Sequence, residues 1–92
     1  MVVADDDVLV REGIAGILGG SGWEIVGQAE NAAELEQLVR ERTPDVVVTD
    51  IRMPPTQTDE GLRAAQRIRT EHPGVGILLL SAHVEVETAM DL

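Results

Sequence analysis

Four aspartates and a serine have the types and spacing to do chemistry. Asp5, Asp6 and Asp7 follow the apolar run Val2-Val3-Ala4, Asp50 follows Val46-Val47-Val48-Thr49, and Ser81 follows Gly76 to Leu80. Carboxylates gathered in one place repel each other and raise each other's pKa, a cost that a cation offsets. Hard oxygen donors suit Mg²⁺, which is typically held by one or two carboxylates together with waters and a phosphate oxygen. A carboxylate beside that ion is set up for nucleophilic attack on phosphorus, because the metal neutralises charge on the incoming phosphoryl group. The Ser81 hydroxyl would then be able to hydrogen-bond a phosphoryl oxygen on Asp50. Plainer roles compete. Asp7 suits a helix cap and Ser81 an ordinary turn. A capping role is weak for Asp50, because the next helix starts only near Asp59.

These residues need elements to position them. Short β-branched or apolar runs near 1–5, 24–29, 45–50 and 75–81 alternate with segments of helical spacing near 8–19, 31–42 and 59–71, and a fourth helix begins near 84. Val10, Ile14, Ile17 and Leu18 fit one helix face; Leu35, Leu38, Val39 and Arg42 fit a second; Leu62, Ala65 and Ile68 fit a third. Asp7 and Asp59 are candidate N-caps, and Asn31 with Glu34 reads as a capping box. Gly19-Gly20-Ser21-Gly22, Thr43-Pro44 and His72-Pro73-Gly74 read as stops. Strands separated by helices imply an α/β fold with a parallel sheet and right-handed crossovers. The runs at 45–49 and 75–80 are continuously apolar, as in strands covered on both faces. Ligands of such sheets bind beyond the carboxyl ends of the strands. If the first and third strands are neighbours, Asp5, Asp6 and Asp50 meet there.

Composition narrows the function classes. Ninety-two residues make one small domain, which buries only about two-thirds of its unfolded surface. Seventeen acidic residues against seven basic ones give a net charge of −10, and every basic residue is arginine. Such a chain repels phosphate backbones and is not expected to bind nucleic acid by itself. Without lysine, the glycine-rich turn at 19–22 is no P-loop. Without cysteine there is no disulfide or thiolate metal site. Trp23 is the one aromatic residue, which argues against base stacking, and it reads as a packing residue at the entrance of the second strand. His72 sits at a helix end and His83 at the site's rim or surface; two distant histidines do not make a metal site. Glu12, Glu34, Glu36, Glu41, Glu85 and Glu87 read as solvated helix faces. No apolar stretch reaches membrane-spanning length and no secretory signal is visible, so a cytoplasmic location is expected.

Three stretches carry a family resemblance. "VVADDDVLVREGI" resembles the acidic pair and first helix of bacterial two-component response-regulator receiver domains. "PDVVVTDIRMP" resembles their phosphoacceptor strand and loop, and "GILLLSAH" their fourth strand with its switch hydroxyl. "RMPPTQTDEGLRAA" looks most like receivers that precede a LuxR-type helix-turn-helix output domain. The resemblance implies a flavodoxin-like (CheY-like) doubly wound sheet in the order 2-1-3-4, with the family's fifth strand and helix missing. Such domains run to about 120 residues, and the chain is expected to be an incomplete one, ending within the fourth helix and lacking the fifth-strand lysine.

The resemblance further implies that Asp50 accepts a phosphoryl group from a sensor histidine kinase, that Ser81 is the switch hydroxyl, and that Mg²⁺ is bound by Asp5, Asp6, Asp50 and the backbone carbonyl of Arg52. Arg52 and His83 would tune the lifetime of the phosphate, and Pro54-Pro55 would stiffen the turn after the site. DNA would be reached only through an absent output domain. A bare apolar edge at Val75–Leu80 would favour a homo-oligomer, formed by strand or helix exchange. Two alternatives remain open. One is a degenerate receiver acting only as an interaction or dimerisation module. The other is a haloacid-dehalogenase-type phosphohydrolase; that chemistry needs an acid/base carboxylate two residues after the nucleophile, where this chain has Arg52.

Overall fold

The computed structural model describes residues 1–54 and 58–80. In chain order they form β1 (Val2–Ala4), α1 (Val8–Gly20), β2 (Gly27–Ala29), α2 (Ala32–Arg42), β3 (Val46–Asp50), α3 (Glu60–Glu71) and β4 (Gly76–Leu80). The strands make one parallel sheet in the order β2-β1-β3-β4. This is the order the family resemblance implies. The segment near 84–92, expected as a fourth helix, lies outside the described residues.

One face of the sheet is well built. Val2, Ala4, Ala29 and Val47 pack with Leu35 and Val39 of α2, Ala64 and Ile68 of α3, and Met53 of the loop after β3. Strand side chains alternate between faces, so Val3 and Val48 turn to the opposite side, where they are buried outside that cluster. Arg67 of α3 grips Glu36 of α2 through Nε and a second guanidinium nitrogen at 2.6 and 2.9 Å, tying the two helices together.

Several expected details shift. The α1 stripe is only partly covered: Ile14 and Leu18 are half-buried, Val10 is 45% and Ile17 72% exposed, and Ala15 is the buried residue of the helix. Apolar side chains occupy most of the circumference of α1, so spacing alone does not single out one face. The helix turns its small Ala15 inward. β2 begins only at Gly27, although 24–26 were expected in it. The reason is a lack of partner. β1 starts at Val2, so Val26 N–H reaches Met1 O at 2.9 Å and the terminal ammonium reaches Glu24 O at 2.8 Å, with no ladder beyond them. Trp23, expected to pack, is 48% exposed. β4 was read as covered on both faces, yet Leu78 is 55% and Leu79 36% exposed. Among the described residues its one neighbour in the sheet is β3.

Candidate functional site

The register of the first and third strands brings the acids together. Val2 lies beside Val47 and Ala4 beside Thr49, so the next residues along, Asp5 and Asp50, leave the sheet side by side. One carboxylate oxygen each from Asp5, Asp6 and Asp50 lies within 4.8 Å of the others. Asp5 is 6% exposed and Asp50 is half-buried. Asp7 takes no part in this cluster. Its Oδ1 accepts from Leu9 N–H at 2.9 Å and Val10 N–H at 3.2 Å, capping α1.

Backbone donors orient the two strand-end carboxylates. Asp5 Oδ1 accepts from Asp7 N–H at 2.9 Å, and Asp50 Oδ1 from Arg52 N–H at 3.3 Å. The Arg52 side chain is exposed. Burial raises the Asp5 pKa above its ordinary value; the Asp7 N–H opposes that, and the charges of Asp50, Asp6 and Asp7 add to it. A buried carboxyl that resists ionisation beside two further carboxylates is an oxygen-only donor set, and it fits a hard divalent cation better than any soft metal. Pro55 and Ser81 lie outside the described residues, as does His83. The last described residue of β4, Leu80, pairs with Asp50, and its carbonyl accepts from Ile51 N–H at 3.1 Å.

Three supporting residues were not anticipated. Met53 is fully buried in the core, anchoring the loop that carries Arg52. Its place between Arg52 and two prolines hid it, because loop residues are usually solvated. Gly61, in the first turn of α3, donates its N–H to Ile51 O at 2.9 Å, and a Cβ built there would fall 1.7 Å from the Asp50 carbonyl oxygen. The helix thus abuts the backbone of the strand end. Glycine inside a helix start is unfavourable by itself, and that was the signal available. Arg11 sends Nη1 to Asp5 O at 2.9 Å and Nε to Gln28 Oε1 at 3.2 Å; nothing in its spacing marked it.

Comparison with known proteins agrees with this geometry. The family model described as the response regulator receiver domain matches residues 1–92. A protein-glutamate methylesterase/protein-glutamine glutaminase of Haloarcula marismortui is 40% identical over 91% of this chain and 22% of its own length. A probable transcriptional regulatory protein, NarL, of Mycobacterium tuberculosis is 37% identical over 92% of this chain and 38% of its own. The solved signal receiver domain of M. tuberculosis NarL superimposes with a TM-score of 0.79 at 37% identity, covering 89% of this chain and 64% of that one. The chain thus spans well under half the length of these two full-length relatives. With a whole-chain family match and acids meeting at the strand ends, the chain belongs to the response regulator receiver domain family.

Proposed function

We propose that this chain is the phosphoacceptor module of a two-component signalling system, with Asp50 as the accepting residue. The observation that carries this reading is the convergence of Asp5, Asp6 and Asp50 at the ends of β1 and β3. An Asp50 carboxylate oxygen attacks the phosphorus of a phosphohistidine on a sensor histidine kinase. The P–O bond forms as the P–N bond breaks, and its electron pair returns to the imidazole. Asp5, Asp6, Asp50 and the carbonyl of Arg52 would hold Mg²⁺, which when bound screens charge on the transferring group. The Arg52 N–H fixes Asp50 Oδ1, so the carboxylate is aimed before a donor arrives. Ser81 serves as the hydroxyl that senses the new acyl phosphate.

The module is a switch and not a turnover enzyme. Its output in the longer protein is transcription regulation through a LuxR-type helix-turn-helix domain in the cytoplasm. The transcriptional part of this reading is supported by the name of the M. tuberculosis relative, a probable transcriptional regulatory protein. Among the described residues no helix is long and apolar enough to cross a membrane. The test is incubation with Mg²⁺ and acetyl phosphate, followed by intact mass. Wild type should gain one phosphoryl group, and Asp50→Asn none. No gain by wild type, or an undiminished gain by Asp50→Asn, overturns the assignment.

A second reading has its own observation. Leu78 and Leu79 are exposed on β4, and Val8, Leu9, Val10 and Ile17 on α1. In this reading the chain is an interaction module that associates with a second copy by strand or helix exchange. Self-association unchanged by Mg²⁺, by a phosphoryl mimic or by Asp50→Asn would favour it.

A further inference from the structure

We propose that Arg11 is a positioning residue for the cation site, acting by fixing the peptide that joins Asp5 to Asp6. The inference rests on the reading that Asp5, Asp6 and Asp50 together hold a divalent cation. It concerns a residue that touches none of their carboxylates.

The Asp5–Asp6 peptide lies past the last ladder position of β1, Ala4. Strand pairing therefore does not set its plane. Asp5 N–H is held by Ala29 O at 3.0 Å, which fixes the peptide before it and leaves the following one to other partners. Arg11 supplies one, on the carbonyl side of that peptide. Capping by Asp7 starts α1 directly after the acids, and Arg11 N–H closes the first turn on Asp7 O at 2.9 Å. The Arg11 side chain thereby reaches back across the β1–α1 turn. Its Nη1 donates to the carbonyl of Asp5 at 2.9 Å while Nε donates to Gln28 Oε1 on β2 at 3.2 Å. A planar guanidinium gripping two acceptors at once leaves little rotational freedom to either. The Asp5 carbonyl and the Asp6 N–H belong to one rigid plane. Holding the carbonyl therefore sets the direction in which Asp6 leaves the backbone, and with it the approach of its carboxylate to Asp5 and Asp50.

A rival role for Arg11 has the opposite sign. If its positive charge were what mattered, it would relieve repulsion among the acids and compete with a cation, so its removal would tighten cation binding. If its geometry matters, removal weakens binding. The experiment is calorimetric titration of the 92-residue chain with Mg²⁺ at constant ionic strength, comparing wild type with Arg11→Met, Arg11→Lys, Gln28→Leu and Asp50→Asn. Arg11→Met should weaken Mg²⁺ binding about tenfold, the usual effect of losing a residue that orients metal ligands. Arg11→Lys should fail to restore it, because a point charge cannot make both bonds. Gln28→Leu should lose less, in the same direction. If Arg11→Met does not fold, Arg11→Lys and Gln28→Leu carry the test.

A second readout needs no metal. The Asp6 amide resonance should move in Arg11→Lys recorded in EDTA, as it would not if Arg11 merely added stability at a distance. Unchanged or tighter binding by Arg11→Met, or full restoration by lysine, overturns the proposal while leaving the cation site standing, provided Asp50→Asn still weakens binding. Absence of saturable binding by wild type overturns the cation site and this role together.

Discussion

Asp5 is pulled two ways, and its ionisation shows it. The side chain is 6% exposed and next to Asp6 and Asp50, so its folded pKa lies above the ordinary 3.8, from burial first and neighbouring charge second. The folded chain therefore holds this proton more tightly than the unfolded chain does. The stability that comes with protonation is fully present below 3.8, and it is lost as pH rises from there through the raised folded value. Once the pH is above that raised value, the metal-free protein carries the loss in full. Asp5→Asn keeps an Oδ1 acceptor for the Asp7 N–H and removes the charge. Its melting temperature in EDTA at pH 7 should exceed that of wild type by a few degrees, with a flatter pH profile across the mildly acidic range. Added Mg²⁺ should raise the wild-type melting temperature and leave the variant nearly unmoved. A variant that melts lower than wild type in EDTA, with Asp7 still capping α1, would show that the buried charge is not a burden.

At the scale of the element, the sheet edge depends on how closely α3 can approach β3. Gly61 permits that approach, since a Cβ there would overlap the Asp50 carbonyl at 1.7 Å. Gly61→Ala forces the helix start or the strand end to move. It should cost about 1–3 kcal/mol of stability, the range for overpacking, and this outweighs the ~1 kcal/mol gained in helix propensity. Urea denaturation would show it as a lower midpoint at unchanged slope. Glu36→Gln offers a milder contrast. It removes a two-point grip by Arg67, whose side chain is half-exposed while that of Glu36, read from sequence as part of a solvated face, is largely covered. A loss of roughly 0.5–1 kcal/mol is expected for a pair on the surface side of the two helices. If the two variants prove equally damaging, the close approach of Gly61 is not what holds the strand end.

Elements were legible in the sequence wherever chemistry was local. Asp7 caps α1 as anticipated, and Asn31 accepts from Glu34 N–H at 2.9 Å. Glu34 reaches back one residue further than a capping box requires, to Glu30 N–H at 3.1 Å. Asp59 stands at the start of α3 without capping it, because its carboxylate turns to Arg63 Nε at 3.1 Å. Thr43, anticipated only as a stop, ends α2 in the left-handed region at φ 42°. What stayed hidden depended on partners distant in the chain. The short β2 followed from where β1 begins, the orientation of α1 from the sheet beneath it, and the roles of Arg11, Met53 and Gly61 from contacts no spacing encodes.

Across the whole molecule, charge and a thin core act together. A net charge of −10 on 92 residues disfavours the compact state by self-repulsion, and a domain this small has little buried surface to oppose it. Two effects of salt should then separate. Screening acts on all exposed charges, since the Debye length shrinks to about 10 Å at 0.1 M ionic strength, so NaCl should raise the melting temperature smoothly and without saturation at a defined stoichiometry. Binding at the proposed site would act where Asp5, Asp6 and Asp50 meet, and would stabilise the folded state in proportion to the logarithm of cation concentration above its dissociation constant. MgCl₂ at matched ionic strength should therefore lift the melting temperature above the NaCl curve. The gap between the curves should close in Asp50→Asn, which changes the net charge by a single unit and leaves general screening almost untouched. Superimposable NaCl and MgCl₂ curves for wild type would mean that the acids at the sheet edge attract cations only as part of a diffuse negative surface. A gap that survives Asp50→Asn would move the bound ion away from β3.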